Sequence, residues 1–259
     1  MVKKIIIVTV CVFCVQFLLA GDRSAGLMLY LFGLSPVNAV SHLWVWQFVT
    51  YMFLHDTGNI FHILFNMLLL YWFGREIETI LGPRRFLAFY LMAGAFAGVA
   101  FCMVHLFQGL RSPVIGASGA VMAVLVAYAI CYPNQLILFF FVFPMKVRTC
   151  VLILIGIDLY SGLQGSQNGV ANFAHLGGAL FGFVYWKGRP FLERSLTRLK
   201  EWRASRKKTV DLDEQQDLDR ILEKISREGM GSLTKGERSF LLRASERRQR
   251  QKVSHEGHA

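Results

Sequence analysis

Five polar side chains stand out against the apolar segments that make up most of this 259-residue sequence: His62, Asn66, Ser118, Asp158 and His175. Polar and ionisable side chains are costly inside a bilayer, so within apolar segments they are candidates for function by default. A serine beside a histidine supplies a nucleophile and a base, and asparagine or histidine can donate hydrogen bonds to an oxyanion. These residue types are therefore the ones that acyl transfer requires.

Ser118 and His175 are the predicted nucleophile and base. Ser118 lies among glycines and alanines near the outer end of the fourth apolar segment, and His175 lies near the outer end of the sixth. At about 1.5 Å per helical residue, both are within roughly 6 to 8 Å of the same membrane surface. Gly178 and Gly182 share a helix face with His175, which lets another span pack closely against it. Each residue alone also fits a structural role, as part of a small-residue packing face or as a hydrogen-bonded core histidine.

His62 and Asn66 are the predicted oxyanion donors. They are four residues apart and share one face of the second apolar segment, in its outer half. Asn66 alone could equally join two helices by a hydrogen bond. Asp158, in the outer half of the fifth segment, could complete a triad. A buried acid is more often a structural hydrogen-bonding partner, so Asp158 receives no catalytic role.

The elements that must position these residues are apolar helices. Hydrophobic residues make up 54% of the chain, above the roughly 45 to 50% of an ordinary soluble domain. A spanning helix needs about 20 mostly apolar residues. The segments that qualify are residues 4–20, 59–81, 86–107, 114–131, 147–163 and 170–187. The sequence therefore predicts an all-α membrane protein with six transmembrane helices.

Positive charge predicts the orientation of the spans, because Lys and Arg near span ends favour the cytoplasm. With the N-terminus inside, the cytoplasmic set is Lys3, Lys4, Arg75, Arg84, Arg85, Lys146 and Arg148. Only Arg23 and Arg111 then lie outside, so we expect both termini in the cytoplasm. The first apolar segment also resembles a secretory signal, although Leu18 spoils the small-residue cleavage pattern.

The C-terminal region has a different composition, since 19 of the 28 Lys and Arg residues lie from Lys187 onward. We predict a membrane domain over 1–190, a basic linker over 191–210, a cytoplasmic helical hairpin over 211–250 and a disordered C-terminus over 251–259. Thr234 and Glu237 form a capping-box pattern for the second helix of the hairpin. The hairpin is interpreted as a docking or regulatory element with a cytoplasmic partner, and a partly ordered solvated tail is the alternative.

Two segments are expected at the membrane interface. Residues 21–56 are rich in Trp, Phe and Leu, and Trp44 and Trp46 are the kind of rings that settle at headgroup level. Residues 134–148 are apolar but too short to cross, and Pro144 interrupts them. We therefore predict an interfacial loop and an interfacial connector.

No metal, cofactor or disulfide framework is expected. The five cysteines lie in or beside apolar segments without paired spacing, so they are interpreted as packing residues. The sequence contains no HExxH motif of a zinc membrane protease. Asp158 is the only intramembrane aspartate, whereas an aspartyl protease needs two.

Three ordered motifs resemble the signature motifs of the rhomboid family: His62-Ile63-Leu64-Phe65-Asn66, Gly116-Ala117-Ser118-Gly119, and Ala174-His175 followed by Gly178 and Gly182. Trp46-Gln47 with Thr50, and Phe53-Leu54-His55, resemble the family's first-loop signature, with Gln47 where many members carry arginine. The resemblance covers roughly residues 1 to 190 and three spans in the right order, which makes it specific.

The resemblance implies an intramembrane serine protease with a Ser/His dyad and no third acid. Ser118 would attack the scissile carbonyl, and His175 would take its proton and return it to the leaving amine. Asn66, His62 and the Ser118 backbone N–H would hold the oxyanion. Some bacterial members place a tyrosine under the histidine where this chain has Met122, so His175 is expected to be held less firmly.

We expect an endopeptidase that cuts single-span membrane proteins near the outer face of the bilayer, without a nucleic acid partner. The compact six-span plan and the lack of an Arg/Ser-rich transit segment favour a bacterial inner membrane. A non-catalytic rhomboid-like protein that binds membrane clients is the main alternative, although such relatives usually lack the serine or the histidine. A small transporter or channel would need more intramembrane charge or repeated broken helices.

Overall fold

The computed structural model describes residues 1–20, 23–108, 112–139, 142–164, 171–242 and 244–245. The chain divides into two compact units at Pro190. The first unit contains all of the candidate site residues, and the second contains the charged tail.

The described residues are mostly helical. The helices are α1 (Val2–Leu18), α2 (Arg23–Phe32), α3 (Gln47–Thr50), α4 (Ile60–Leu81), α5 (Pro83–Gln108), α6 (Ser118–Cys131), α7 (Val147–Leu163) and α8 (Ala171–Glu228). Short π- and 3₁₀-helical turns occupy Val37–Ser41, Tyr51–Phe53 and Met230–Ser232. The predicted connector over 134–148 contains a small antiparallel hairpin of β1 (Leu136–Phe139) and β2 (Phe143–Lys146).

The helices of the first unit expose apolar side chains on their outer faces, as in a membrane protein. Among the described residues, α4 and α5 are each long and apolar enough to cross a bilayer alone. Helices α1 and α7 have 17 residues each and α6 has 14. The side chains of Leu152, Tyr160 and Leu163 on α7 are 67%, 67% and 75% exposed. Apolar surface exposed on this scale is suited to contact with lipid.

Helix α6 is the buried helix of this unit. It packs against α4, α5 and α7, and every residue from Gly119 to Ala127 is buried. A helix that is apolar on all sides is expected at the centre of a bundle. Ser118, at the first position of this helix, is therefore attached to a buried element.

The fourth apolar segment becomes helical later than the sequence predicts. The expected span begins at residue 114, whereas α6 begins at Ser118. Val114 instead forms an antiparallel bridge with Leu34, in which each backbone N–H donates to the other's carbonyl at 3.0 and 2.9 Å. Apolar composition cannot separate a short buried extended segment from the start of a helix.

The segment between α1 and α4 is more ordered than an interfacial loop requires. Gln47 is completely buried. Its side-chain amide donates to the carbonyl of Tyr30 at 3.0 Å, and its side-chain oxygen accepts from the backbone N–H of Ser35 at 3.1 Å. Thr50 donates to the carbonyl of Phe32 at 2.8 Å. These bonds join the end of α2 to α3 and give the loop a fixed shape.

The tail unit contains the end of α8, a turn and a short helix over 235–242. Helix α8 ends before Gly229, which has φ +82°. The capping box forms, because the Thr234 backbone N–H donates to Glu237 Oε2 at 2.7 Å and the Glu237 N–H donates to Thr234 Oγ1 at 3.3 Å. The predicted linker over 191–210 lies within α8, and the predicted disordered C-terminus, 251–259, lies outside the described residues.

Candidate active site

The structure brings Ser118 and His175 together. Ser118 Oγ lies 2.7 Å from His175 Nε2, which is hydrogen-bonding distance. Ser118 is the first residue of α6, and His175 lies in the first turns of α8. The His175 side chain is 25% exposed, so the pair is accessible from one side while the helices that carry it are packed.

Glycines set the close approach of α6 and α8 behind this pair. A Cβ atom on Gly178 would lie 1.9 Å from the carbonyl oxygen of Gly119, and one on Gly182 would lie 2.6 Å from that of Ala123. Both contacts are with backbone atoms, which cannot rotate away as a side chain can. The small-residue face predicted beside His175 is therefore the surface on which the helix of Ser118 packs.

The loop before Ser118 is held in position by the first-loop segment. The Gly116 N–H donates to the carbonyl of Tyr51 at 3.0 Å, and the Tyr51 hydroxyl donates to the carbonyl of Gly94 on α5 at 2.8 Å. Gly116 has φ +120°, a conformation that side chains rarely adopt. A Cβ there would lie 2.8 Å from His62 Nε2 and 3.9 Å from Ser118 Oγ. Gly116 thus leaves open the space between the predicted nucleophile and a predicted oxyanion donor.

His62 presents Nε2 to this space. Its Nδ1 accepts a long hydrogen bond, 3.5 Å, from the Asp56 backbone N–H. An Nδ1 that accepts favours the tautomer with a proton on Nε2, because a neutral imidazole carries only one N–H. The Nε2–H group would then be a donor in the space that Gly116 leaves open beside Ser118, as an oxyanion site requires.

Asn66 lies one helical turn below His62 and is buried. Its side-chain N–H₂ donates to the His62 carbonyl at 2.8 Å, which uses one of the two amide hydrogens. The Ser118 backbone N–H is a further donor, because the first four N–H groups of a helix have no intrahelical acceptor. The positive end of the α6 dipole also favours negative charge at this point.

An open cavity of about 440 Å³ connects these groups. Its lining includes all five residues singled out in the sequence: His62, Asn66, Ser118, Asp158 and His175. An adjoining apolar cavity of about 650 Å³ shares Phe65, Leu69, Leu125 and Leu154 with it. Among the described residues, no group of three His, Cys, Asp or Glu side chains converges as a metal ion would need.

Asp158 is the site residue for which no catalytic role was predicted. Its Oδ1 lies 3.0 Å from His175 Nδ1, on the side of the ring opposite Ser118. Asp158 is buried on α7. Its place in the outer half of an apolar segment was the available signal. No spacing rule relates that position to His175, because the two residues lie on different helices.

His55 is a second buried polar group at the edge of the site. It is completely buried, and neither ring nitrogen has a hydrogen-bond partner among the described residues. Its ring centroid lies 5.0 Å from that of His62. Burial lowers the pKa of His55 to about 4, and the neighbouring His62 adds to the effect. His55 is therefore neutral at physiological pH.

Comparison with known proteins gives two family matches. The rhomboid domain matches residues 42–188, and a family of unknown function, DUF6576, matches residues 200–247. The first match contains all of the candidate site residues. The second lies within the tail.

Curated relatives match the same membrane region. RHOMBOID-like protein 12, mitochondrial, of Arabidopsis thaliana is 34% identical over 161 residues, which cover 54% of this chain and 46% of the relative. Presenilin-associated rhomboid-like protein, mitochondrial, of Homo sapiens is 33% identical over 141 residues, covering 51% and 37%. Rhomboid protein 1, mitochondrial, of Saccharomyces cerevisiae is 33% identical over 128 residues, covering 48% and 36%. The matched region spans less than half the length of each relative.

Proposed function

The chain belongs to the rhomboid family of intramembrane proteases, and on that premise we propose that it is itself an intramembrane serine endopeptidase. In this proposal Ser118 is the nucleophile and His175 is the base. The observation that carries it is the 2.7 Å distance between Ser118 Oγ and His175 Nε2. At this distance the hydroxyl proton can pass directly to the imidazole as the oxygen attacks.

The proposed reaction is acyl transfer in two steps. Ser118 Oγ attacks the scissile carbonyl carbon while its proton moves to His175 Nε2, and the imidazolium then protonates the leaving amine. Water attacks the resulting ester with His175 again as base, which releases the acid and restores Ser118. The oxyanion of each step is held by His62, Asn66 and the Ser118 backbone N–H. Donors aimed at developing charge supply much of the rate enhancement in such sites.

The proposed substrates are single-span membrane proteins. A peptide bond within a helix is shielded by its own hydrogen bonds, so a substrate segment must be extended before attack. The cavity that contains Ser118 is open and lined mainly by apolar side chains, which suits an unwound membrane segment. We propose that the cut lies near the outer face of the bilayer, and that no nucleic acid takes part.

We propose six spans, formed by α1, α4, α5, α6, α7 and the first part of α8. Both termini then lie in the cytoplasm, since this orientation places most Lys and Arg residues of the loops inside. The proposed membrane is a bacterial inner membrane. The named relatives are mitochondrial proteins, so fractionation of the native cell is the appropriate test. The tail, with its helical segments on both sides of Gly229, is proposed to meet a cytoplasmic partner.

The proposal is tested by labelling the detergent-solubilised protein with a fluorophosphonate probe, which reacts with activated serines. We expect the wild type to be labelled and both Ser118→Ala and His175→Ala to lose labelling by at least about 100-fold, since each removes a member of the proton-transfer pair. Ser161→Ala, which removes a hydroxyl from α7, is the matched control and should label as the wild type does.

Cleavage of a reporter with one transmembrane segment in proteoliposomes should follow the same order. Asn66→Ala should lower turnover less than the Ser118 and His175 changes, because two oxyanion donors remain. Equal labelling of the wild type and Ser118→Ala would contradict the proposed nucleophile. A folded wild type that neither labels nor cleaves would instead favour a non-catalytic protein that binds membrane clients.

A further inference from the structure

The His175 imidazole is held on both sides. Its Nε2 lies 2.7 Å from Ser118 Oγ and its Nδ1 lies 3.0 Å from Asp158 Oδ1. The three residues come from α6, α7 and α8, so the ring is fixed between two helices besides its own. A dyad would require only the contact with Ser118.

The contact with Asp158 determines which nitrogen carries the proton. An ionised carboxylate only accepts hydrogen bonds, so a bond at Nδ1 requires the proton on that nitrogen. Because a neutral imidazole carries one N–H, Nε2 then has a free lone pair and can accept the Ser118 proton. The opposite tautomer would direct an N–H at the serine oxygen and could not act as its base.

The surroundings of Asp158 make this bond a strong constraint. The side chain of Asp158 is 11% exposed and that of His175 is 25% exposed. A buried carboxylate without a partner is costly, so each group stabilises the other in this position. His62 on α4 is a further titratable group that lines the cavity beside the pair. Among the described residues, its ring forms a hydrogen bond with the Asp56 backbone N–H and not with Asp158.

Met122 makes the hydrogen bond between Asp158 and His175 more important for the orientation of the His175 ring. Sequence comparison with the family suggested that a methionine under the histidine holds it less firmly than a tyrosine would. Met122 is buried and lines the same cavity as His175. A thioether has no directional hold on an imidazole comparable with ring stacking. In this chain the hydrogen bond to Asp158 adds to the contact with Ser118 in holding the ring orientation.

We propose that Asp158 is a positioning residue, so that the site works as a Ser118–His175–Asp158 triad. This inference rests on the proposed protease function. During attack the Ser118 proton moves to Nε2, the proton on Nδ1 stays in place, and the ionised Asp158 stabilises the imidazolium without accepting its proton. The proton on Nε2 then passes to the leaving amine, so Asp158 is unchanged at the end of the cycle.

The deciding variant is Asp158→Asn, because it preserves size and hydrogen bonding but can donate to Nδ1 and so favour the inactive tautomer. The readout is fluorophosphonate labelling, separated into the maximal labelling rate and the probe concentration at half-maximal rate. We expect the maximal rate to fall by about 10² to 10⁴-fold, while the half-maximal concentration changes by less than about 2-fold, since Asp158 acts through His175. Asp158→Glu keeps the carboxylate and should recover part of the rate.

Asp217→Asn is the matched control, because it removes an exposed tail carboxylate paired with Arg220 at 2.9 Å and should leave labelling unchanged. If the wild type is labelled and Asp158→Asn is labelled at the same rate, the inference is overturned and the protease proposal stays intact. If the folded wild type is not labelled at all, the protease proposal itself is overturned. An Asp158→Asn variant with a lower melting temperature but a wild-type labelling rate identifies a purely structural aspartate and also overturns the inference.

A measurement on the unmutated protein covers the case in which Asp158 variants do not fold. The ¹⁵N spectrum of histidine-labelled protein at pH 8, with His175→Ala for assignment, distinguishes the two neutral tautomers. We expect His175 to be protonated at Nδ1. Protonation at Nε2 overturns the inference.

Discussion

Two regions of the molecule hold their residues in place by different kinds of contact. Around Ser118, the backbone of α6 touches the backbone of α8, as the glycine pair Gly119 and Gly178 shows. In the tail, Lys224 and Glu237 form an ion pair at 3.2 Å between side chains that are 31% and 22% exposed. The first contact joins buried backbone atoms that cannot rotate away, whereas the second joins side chains that are partly solvated.

The difference matches what each region has to do. A catalytic pair must keep its geometry to within a fraction of an ångström, and a displacement of about 1 Å can cost 100-fold in rate. Backbone contacts between packed helices give that accuracy. An ion pair that solvent reaches contributes little to stability, so it organises a surface without fixing it. We therefore expect the two regions to respond very differently to equally small changes.

The largest effect is expected from Gly178→Ala. Its Cβ would lie 1.9 Å from the Gly119 carbonyl oxygen and 2.7 Å from the carbonyl carbon, so α6 and α8 must separate. Overpacking of this kind costs about 1 to 3 kcal/mol and sometimes more. We expect a lower melting temperature in detergent and a labelling rate at least about 100-fold lower, because Ser118 and His175 lie on the two helices that move apart.

Gly188→Ala is the control for this change, since it makes the same substitution on the same helix at a position where, beyond the helix's own backbone and the adjacent residues, no described atom lies within 4 Å of the added Cβ. Alanine is the better helix former, so this variant should be as stable as the wild type or slightly more so. Wild-type labelling and stability in Gly178→Ala would show that the close helix contact is not what holds the pair.

A smaller effect is expected from Gly116→Ala, which tests the loop rather than the helices. The substitution strains a residue at φ +120° and places a Cβ 2.8 Å from His62 Nε2. His62 must move, so the labelling rate per folded molecule should fall by about 10- to 100-fold. The strain itself should cost about 1 to 3 kcal/mol of stability.

Gly82→Ala separates the two causes. Gly82 has φ +77°, but apart from the adjacent residues no atom of the described chain lies within 4 Å of an added Cβ. It should lower the melting temperature and leave the labelling rate of the folded fraction unchanged. Equal losses of labelling in both variants would mean that strain, and not the contact with His62, reduces the reactivity of Ser118.

The sequence predicted the part of this arrangement that helix periodicity controls. His62 and Asn66 share a face because they are four residues apart, and His175 and Gly178 share one because they are three apart. The rise per residue predicted matching depths for Ser118 and His175, and the two side chains lie 2.7 Å apart. The family motifs then assigned the roles.

The sequence did not predict contacts that depend on how separate segments meet. The Val114–Leu34 bridge is an example, since four apolar residues before Ser118 look the same whether extended or helical. The bond from Asp158 to His175 depends on the rotation of α7 about its own axis, which hydrophobic pattern does not determine when most of the helix is apolar. The interactions of Gln47 with the end of α2 likewise required the folded loop.

The smallest effect is expected in the tail, from Thr234→Ala. The change removes the hydroxyl that accepts from the Glu237 N–H at 3.3 Å and donates to Glu237 Oε2 at 2.9 Å. The first turn of the helix over 235–242 should lose protection in hydrogen-exchange mass spectrometry, because an N-cap satisfies an otherwise free N–H group. Ser239→Ala, which removes a hydroxyl later in the same helix, is the control and should retain protection at the first turn.

The same turn should respond to pH in the wild type. The backbone N–H and hydroxyl of Thr234, followed by Lys224, hold the pKa of Glu237 below its usual range. A carboxylate whose pKa is lowered on folding stabilises the folded state at pH values above its unfolded pKa. This stabilisation is lost as the pH falls through the pKa of the folded state. Protection of the first turn, corrected for intrinsic exchange, should therefore begin to fall as the pH drops below the ordinary glutamate pKa of about 4.3. Fluorophosphonate labelling of Thr234→Ala at neutral pH should equal that of the wild type. A lower labelling rate in this variant would mean that the reactivity of Ser118 depends on the tail.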